Sequence, residues 1–190
     1  MENKVASTHL TDKELVRKIV RTKNAELFGI LYDRYSKTVY NKCYGFSKSH
    51  SEAEDLTQDV FLMVFLKLGS FAGRSKFSTW LYSFTYNFCV NYVNRNKQRK
   101  ISQASEPLSE EGLGAKDDIK DTSIYEMRTG ILKKALDLLG AEEKRILLLK
   151  YQDEATIKEL TRLMNLSESA VKMRLMRAKA SLLEIYNKIA

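Results

Sequence analysis

The chain of 190 residues carries a formal net charge of +8 and is long enough for one large domain or two small ones. Its composition, with 44% hydrophobic and 29% charged residues, excludes a disordered or membrane-embedded polypeptide. The surplus of positive charge favours a polyanionic partner such as nucleic acid. A single proline and eight glycines leave few interruptions, which favours an all-helical fold.

Neither of the two cysteines, Cys43 and Cys89, has a second cysteine or a histidine at a spacing that suits zinc. We expect both thiols to be reduced and semi-buried as apolar side chains, and we expect no metal ion or cofactor. The N-terminus lacks the apolar core of a secretion signal, and no apolar run approaches the roughly 20 residues of a membrane helix. These features predict a cytoplasmic protein without membrane insertion.

Periodic apolar residues predict four helices in the first hundred residues. Residues 12–44 are expected to form two amphipathic helices with a break around Asn24. Ser51 and Glu54 have the spacing of a capping box and predict the start of a third helix, which Gly69 can end. The fourth helix is expected to begin near Phe77 and to extend through residue 98.

Residues 101–124 lose this periodicity and predict a flexible acidic linker, since segment 106–121 contains six acidic residues and two lysines. The predicted domains are therefore residues 1–100 and 125–190, giving an all-α fold of two small helical domains. Four more helices follow the linker, and the third starts with a capping box of Thr156 and Glu159. A short turn ending at Ser167 precedes the last helix, which predicts a helix-turn-helix in a winged-helix-like four-helix domain.

The last helix has one apolar and one basic side. Val171, Leu175, Ala178 and Leu182 recur at steps of four and three and are predicted to face the domain core. The opposite side and its flanks are predicted to carry Ser169, Lys172, Met173, Arg174, Met176, Arg177, Lys179 and Ala180. This face has the size and charge to enter a major groove, although the charge pattern alone fits an ordinary solvated helix equally well.

Eight aromatic residues crowd into residues 71–92, next to a basic run that begins at Arg95. Aromatic faces beside cations suit single-stranded DNA, because extruded bases stack on the rings while cations hold the phosphates. Aromatic residues at helical spacing are usually core, so we expect at least half of the eight to be structural, including Trp80, Phe84 and Phe88.

The third predicted helix is apolar on more than one side. Leu56, Val60 and Val64 form one stripe, whereas Phe61 and neighbouring apolar residues share the other side with Asp55 and further polar residues. Either the helix is central to its domain, or its mixed face docks on a protein partner. The residue pattern leaves both interpretations open.

Four segments, in this order, resemble conserved regions of the sigma-70 family and specifically of its ECF group. LYDRYSKTVY (31–40) is similar to region 2.1, AEDLTQDVFL (53–62) to region 2.2, and FAGRSKFSTWLYSFTYN (71–87) to regions 2.3 and 2.4. Residues 151–182 are similar to region 4. The chain has no room for region 1.1 or a full region 3, which is typical of the ECF group.

The resemblance implies a non-enzymatic factor that binds core RNA polymerase, recognises promoter DNA and helps to melt it. Its implied partners are the beta-prime clamp helices, the beta flap, promoter DNA and an anti-sigma factor. By motif position, the clamp helices would contact Asp55, Leu56, Gln58, Asp59, Phe61 and Leu62. The minus-ten element would contact Phe71, Arg74, Lys76, Phe77, Asn87, Asn91 and Arg95. The minus-thirty-five element would contact Ser167, Ser169, Lys172, Met173, Arg174, Met176, Arg177 and Lys179.

The chain departs from the family pattern in and around the helix-turn-helix. Asn165 stands in the turn and Glu154 precedes its first helix, where the family often has glycine. Met173 and Met176 occupy positions where polar or aromatic readers are common. One alternative is a regulator that binds an operator through the helix-turn-helix without polymerase, but it leaves the basic, aromatic segment 71–100 unexplained. A DNA-modifying enzyme is disfavoured, because the acidic residues lack metal-ligand spacing and no phosphate-binding glycine loop is present.

Overall fold

A computed structural model describes residues 9–103 and 127–190, with residues 99–103 as backbone only. In these ranges every regular element is a helix, so the predicted all-α class is confirmed. Residues up to Cys89 form one compact unit and residues from Val90 a second. The predicted domain limits at residues 100 and 125 stay predictions. Within the described ranges, each helix is too short or too polar to span a bilayer.

Helices α1 (Asp12–Thr22) and α2 (Ala25–Tyr44) confirm the predicted break around Asn24. The backbone of Lys23 is left-handed (φ 54°) and ends α1. Asn24 then starts α2, because its side-chain oxygen accepts a hydrogen bond of 2.9 Å from the backbone N–H of Leu27. Local polar chemistry therefore sets both helix ends.

Helix α3 (His50–Lys67) begins one residue before the predicted capping box and continues into a 3₁₀ turn, Leu68–Ser70. Ser49 is its N-cap and accepts a hydrogen bond of 3.2 Å from the backbone N–H of Glu52. The prediction of Ser51 as the cap was wrong. Ser49 and Glu52 have the same spacing as Ser51 and Glu54, and the earlier pair adds hydrogen-bonded residues to the helix.

Helix α4 (Phe77–Gln103) begins as predicted and extends three residues into the predicted linker, whose remainder lies outside the described residues. In the first unit it packs against α2 around a buried lysine. Lys42 donates a hydrogen bond of 2.8 Å to the Tyr86 hydroxyl, and its ammonium lies 4.2 Å from the centre of the Tyr82 ring. Beside it, the Sγ atoms of Cys43 and Cys89 are 3.9 Å apart. Both thiols are free and fully buried rather than semi-buried.

The second unit contains α5 (Thr129–Leu138), α6 (Ala141–Leu147), α7 (Ile157–Met164) and α8 (Glu168–Ile189). These are the four predicted helices, but α6 passes into a π-helical turn, Leu148–Gln152, that periodicity did not predict. The described part of this unit contains helices alone, so no β-wing accompanies the helix-turn-helix there.

Helix α8 packs against α5, α6 and α7 and supplies the centre of the second core. The predicted stripe of Val171, Leu175, Ala178 and Leu182 is buried, which confirms it. Polar contacts fix the same packing, because Ser181 donates a hydrogen bond of 2.9 Å to Glu143 on α6. With its apolar stripe covered, α8 presents the other side to solvent.

Candidate polymerase and nucleic-acid interfaces

The turn between α7 and α8 is built by two capping residues. Asn165 ends α7 with a left-handed backbone (φ 53°), and its N–H donates to the carbonyl oxygen of Thr161. Ser167 then starts α8, because its hydroxyl accepts a hydrogen bond of 3.2 Å from the backbone N–H of Ala170. The turn therefore has the length and caps of a helix-turn-helix.

The solvent-facing side of α8 combines cations with two methionines. Ser169, Lys172, Arg174 and Arg177 are exposed, Met173 is 43% exposed, and Met176 and Ala180 are half-buried. Lys179 is 9% exposed and lies at the edge of the core, so it presents less surface to a ligand than the sequence predicted.

An ion pair at the start of α8 reduces the positive charge of this face. The ammonium of Lys172 lies 2.6 Å from a carboxylate oxygen of Glu168, one turn earlier. The hydrogen bond from Lys172 lowers the pKa of Glu168, which favours the ionised carboxylate. Arg174 and Arg177 consequently contribute more of the net charge of the face than Lys172 does.

In the first unit, the loop between the 3₁₀ turn and α4 carries one aromatic ring and two cations. Phe71 is half-buried, and its ring centroid lies 5.5 Å from that of Phe77 and 5.6 Å from that of Trp80. Arg74 and Lys76 are exposed. Phe77 packs edge-on against the Phe71 ring. It is only 4% exposed, so its own ring is not available for a base to stack on.

Helix α4 continues this aromatic surface at helical spacing. Trp80 and Phe84 are half-buried with ring centroids 5.5 Å apart, and Asn87 is half-buried three residues further on. Their ring contacts agree with the structural role predicted for Trp80 and Phe84, and each ring also keeps part of its surface exposed. Asn91 and Arg95 lie on later turns of α4, in the second unit, and are exposed.

Helix α3 exposes part of the predicted polymerase contact and buries the rest. Asp55, Gln58 and Asp59 are exposed. Two large apolar side chains accompany them, since Leu62 is 59% and Leu66 is 65% exposed.

The other two predicted contacts on α3 belong to the core. Leu56 is 2% exposed, and Phe61 is 4% exposed because its ring packs 4.6 Å from that of Tyr32 and 6.2 Å from that of Phe28. The interpretation of a central helix is therefore right for its inner side, whereas docking on a protein partner stays a prediction. Its inner side builds the domain, and an exposed acidic and apolar side is available for docking.

Two family models match the chain, sigma-70 region 2 at residues 31–99 and sigma-70 region 4 at residues 129–182, together more than half of its length. The chain belongs to the sigma-70 family. The region 2 match covers most of the residues that the operator-binding alternative left unexplained.

Curated relatives place this sigma factor in the ECF group. It is 28% identical over 173 residues to the ECF RNA polymerase sigma factor SigW of Bacillus subtilis, a match that covers 87% of this chain and 91% of that protein. It is 25% identical over 182 residues to the ECF RNA polymerase sigma-E factor of Escherichia coli, covering 93% and 94% of the two chains. The protein is therefore an ECF RNA polymerase sigma factor that directs promoter recognition and transcription initiation, and it is not an enzyme.

Solved structures share the fold. The sigma factor RpoE from Bartonella quintana, determined in complex with the anti-sigma factor NepR, has a TM-score of 0.59 and 20% identity, covering 84% of this chain and 96% of that chain. CnrH, determined in complex with the cytosolic domain of CnrY, has a TM-score of 0.57 and 18% identity, covering 94% and 99%.

The site residues predicted from the sequence omit four side chains that are exposed or half-buried on these surfaces. Leu66 lies one turn after Leu62 on α3, and Tyr32 on α2 is 40% exposed beside Phe61. Trp80 and Phe84 extend the aromatic surface that begins at Phe71. A signal existed for the last two, because steps of four and three residues place them on the same side of α4 as Asn87.

Proposed function

We propose that three exposed surfaces of this ECF sigma factor each bind a different partner. Helix α3 docks on core polymerase, the Phe71–Lys76 loop and α4 capture minus-ten DNA, and α8 reads the minus-thirty-five element. The observation that carries the proposal is that each of these surfaces exposes the side-chain chemistry that its partner requires, although much of the same helices is buried.

The docking surface of α3 combines carboxylates and an amide with exposed leucines. Such a mixed patch suits a partner surface that is basic and apolar, as we propose for the beta-prime clamp helices. Asp55, Gln58, Asp59 and Leu62 would make the contacts, while Leu56 and Phe61 hold the helix in its domain.

The second unit offers a separate apolar groove for polymerase. It has a volume of about 410 Å³ and is lined mainly by leucines, among them Leu132, Leu136 and Leu148. We assign the beta flap to this groove because an apolar segment of a partner can fill such a depression and exclude water from it.

The minus-ten surface suits bases that have left the duplex. The rings of Phe71, Trp80 and Phe84 supply stacking faces, and Arg74 and Lys76 supply cations for phosphates. Stacking one base returns roughly 1–3 kcal/mol, whereas opening a base step costs about 1.4 kcal/mol on average. The two energies are comparable, so binding to this surface helps to keep the promoter melted.

Regulation by an anti-sigma factor is part of the same proposal. The sigma factor RpoE was solved with the anti-sigma factor NepR, and CnrH, which is similar in fold, was solved with the cytosolic domain of CnrY. The exposed Leu62 and Leu66 give a partner of this kind an apolar surface to cover. The sigma factor would act in the cytoplasm, where polymerase and promoter DNA are found.

Transcription in vitro with purified core polymerase and a promoter library tests the proposal as a whole. We expect RNA that starts at defined sites only when the sigma factor is added. Core polymerase that gives the same transcripts with and without the chain would contradict the proposal.

The docking surface is tested by the double substitution Asp55→Ala and Gln58→Ala. Holoenzyme assembly should weaken by about tenfold or more, because a charged and a polar contact are lost together. Assembly is measured by titrating labelled sigma factor with core polymerase. Glu26→Ala removes an exposed acid outside the proposed surface and should leave the affinity unchanged. Equal affinities for the double variant and the control would refute the docking surface.

The minus-thirty-five surface is tested by Lys172→Ala combined with Arg177→Ala. Promoter binding by holoenzyme should fall by about tenfold or more at moderate salt, because two cations near phosphates are removed. Core binding should be unchanged. Lys133→Ala with Lys134→Ala removes two exposed lysines of α5 and serves as the matched control. Loss of core binding together with promoter binding would indicate misfolding, which circular dichroism detects.

A further inference from the structure

The polar side chains of the α8 face are partly committed to contacts within the protein. Lys172 is held by Glu168, with 2.6 Å between the charged atoms. Ser167 caps the helix, and its hydroxyl lies 3.1 Å from that of Ser169. These groups can hold phosphates or water, but their internal bonds reduce what they can offer to base edges.

Two methionines stand at the middle of the same face. Met173 is 43% exposed, and Met176, three residues further along the helix, is half-buried beside it. The buried residues of α8 lie on its other side and do not include these methionines. Packing of the core therefore does not explain two neighbouring large apolar side chains on this face.

The methionines border an open depression of about 550 Å³ between α8 and the elements packed against it. Ile157, Leu175 and Tyr151 contribute apolar surface. Lys150, Lys172 and Lys179 line it as well, and the ammonium of Lys172 is paired with Glu168. This combination is complementary to a polyanion that also projects small apolar groups toward the protein.

Thymine supplies such a group in the major groove. Its C5 methyl is the one apolar substituent that the four bases present there, and it is read by apolar side chains rather than by hydrogen bonds. A methionine side chain has no donor and only a weak acceptor, and its flexible thioether adapts to an apolar contact.

We infer that this sigma factor selects its minus-thirty-five element through thymine methyl groups contacted by Met173 and Met176. The inference rests on the proposed role of α8 as the minus-thirty-five reader and adds the chemistry of its specificity. Arginines and lysines on the face then supply affinity and register, and the methionines decide which bases are accepted.

Replacing thymine by uracil tests this directly, because uracil lacks the methyl and keeps every hydrogen-bonding group. Wild-type holoenzyme first selects duplexes from a library randomised in the upstream element. Each thymine of a selected duplex, on either strand, is then changed to uracil one at a time. We expect a three- to fivefold loss of affinity, roughly what burial of one methyl contributes, at one or more positions. Thymines outside the element should show no change.

Variants of the two methionines connect the effect to the protein. Met173→Gln and Met176→Gln keep the length of the side chain but make it polar, and at the affected position the ratio of thymine to uracil affinity should fall to about one. Met173→Leu and Met176→Leu keep an apolar contact and should retain a preference for thymine. Arg177→Ala should weaken thymine and uracil duplexes equally and leave the ratio unchanged.

The outcomes separate this inference from the function on which it rests. Uracil duplexes that bind as well as thymine duplexes at every position, or glutamine variants that retain the preference, would overturn the inference. Selected elements without thymine would overturn it as well. Failure of wild-type holoenzyme to select any upstream element would instead count against α8 as the minus-thirty-five reader.

Discussion

Individual residues hold strained or costly conformations around the helix-turn-helix. Glu154 and Asn165 both have left-handed backbones with φ of 53°, one before α7 and one after it. Asparagine tolerates this region better than most residues, whereas a glutamate pays a steric cost for its Cβ atom. At the two positions where the family often has glycine, backbone strain is therefore larger for Glu154 than for Asn165.

Replacing Glu154 by glycine should stabilise the second unit by about 0.5–1 kcal/mol. The relief of strain in the folded state should exceed the cost of the greater conformational entropy that glycine gives the unfolded chain. Urea unfolding followed by circular dichroism measures the change. Lys158→Gly, at an exposed position in the first turn of α7, provides the opposite case and should destabilise the second unit by about 0.5–1 kcal/mol. If Glu154→Gly destabilised the protein as much as Lys158→Gly does, the strain argument would be wrong.

At the scale of elements, short-range caps position the long-range contacts. Thr156 and Glu159 form a reciprocal capping box at the start of α7, with hydrogen bonds of 3.2 Å and 3.0 Å in the two directions. Helix α7 has only eight residues, so it depends on this cap and on its packing rather than on its own length. Together with the turn at Asn165, the cap sets how α8 is presented.

Thr156→Ala should remove about 1 kcal/mol from the stability of the second unit. The Thr156 hydroxyl accepts from the backbone N–H of Glu159 and donates to its carboxylate, and both of these hydrogen bonds are lost. Promoter affinity of holoenzyme should fall modestly, while binding to core polymerase through α3 should not change. Thermal unfolding and the two binding titrations make the comparison. Thr156→Ser keeps the hydroxyl and should behave like the wild type, and an equal loss in both variants would show that the cap is not the cause.

For the whole molecule, we expect a few exposed cations to account for the contribution of the net charge of +8 to DNA binding. Arg177 belongs to the face of α8, and Arg74 belongs to the loop that precedes α4, in a different unit. Independent sites act additively. We expect the two arginines to act independently, because they would bind different elements of the promoter.

The salt dependence of promoter binding by holoenzyme gives this count. Arg177→Ala should reduce the slope of log affinity against log salt by about 0.9, and Arg74→Ala by about 0.7 if its phosphate is single-stranded. The double variant should show the sum of the two changes. Lys37→Ala, an exposed cation on α2 outside the proposed surfaces, should leave the slope unchanged. Slopes that do not move in any variant would exclude these arginines as phosphate contacts.

The sequence by itself determined the all-α class, the order of the helices and the core side of α8. These follow from periodicity and from capping residues, and both act within about four residues along the chain. The cap of α3 shows the limit of such local signals. Ser49 and Ser51 offer equivalent spacing, and only the folded chain distinguishes them.

Tertiary structure alone decided which functional candidates are exposed. On α3, Leu56 and Phe61 are buried in the core, whereas Leu62 and Leu66 are exposed. On α8, Lys179 is buried, whereas Arg177 is exposed. The physical reason is that burial is set by what packs against a helix. A helix that is apolar on several sides, as α3 is, does not encode which of its sides the neighbouring helices will cover.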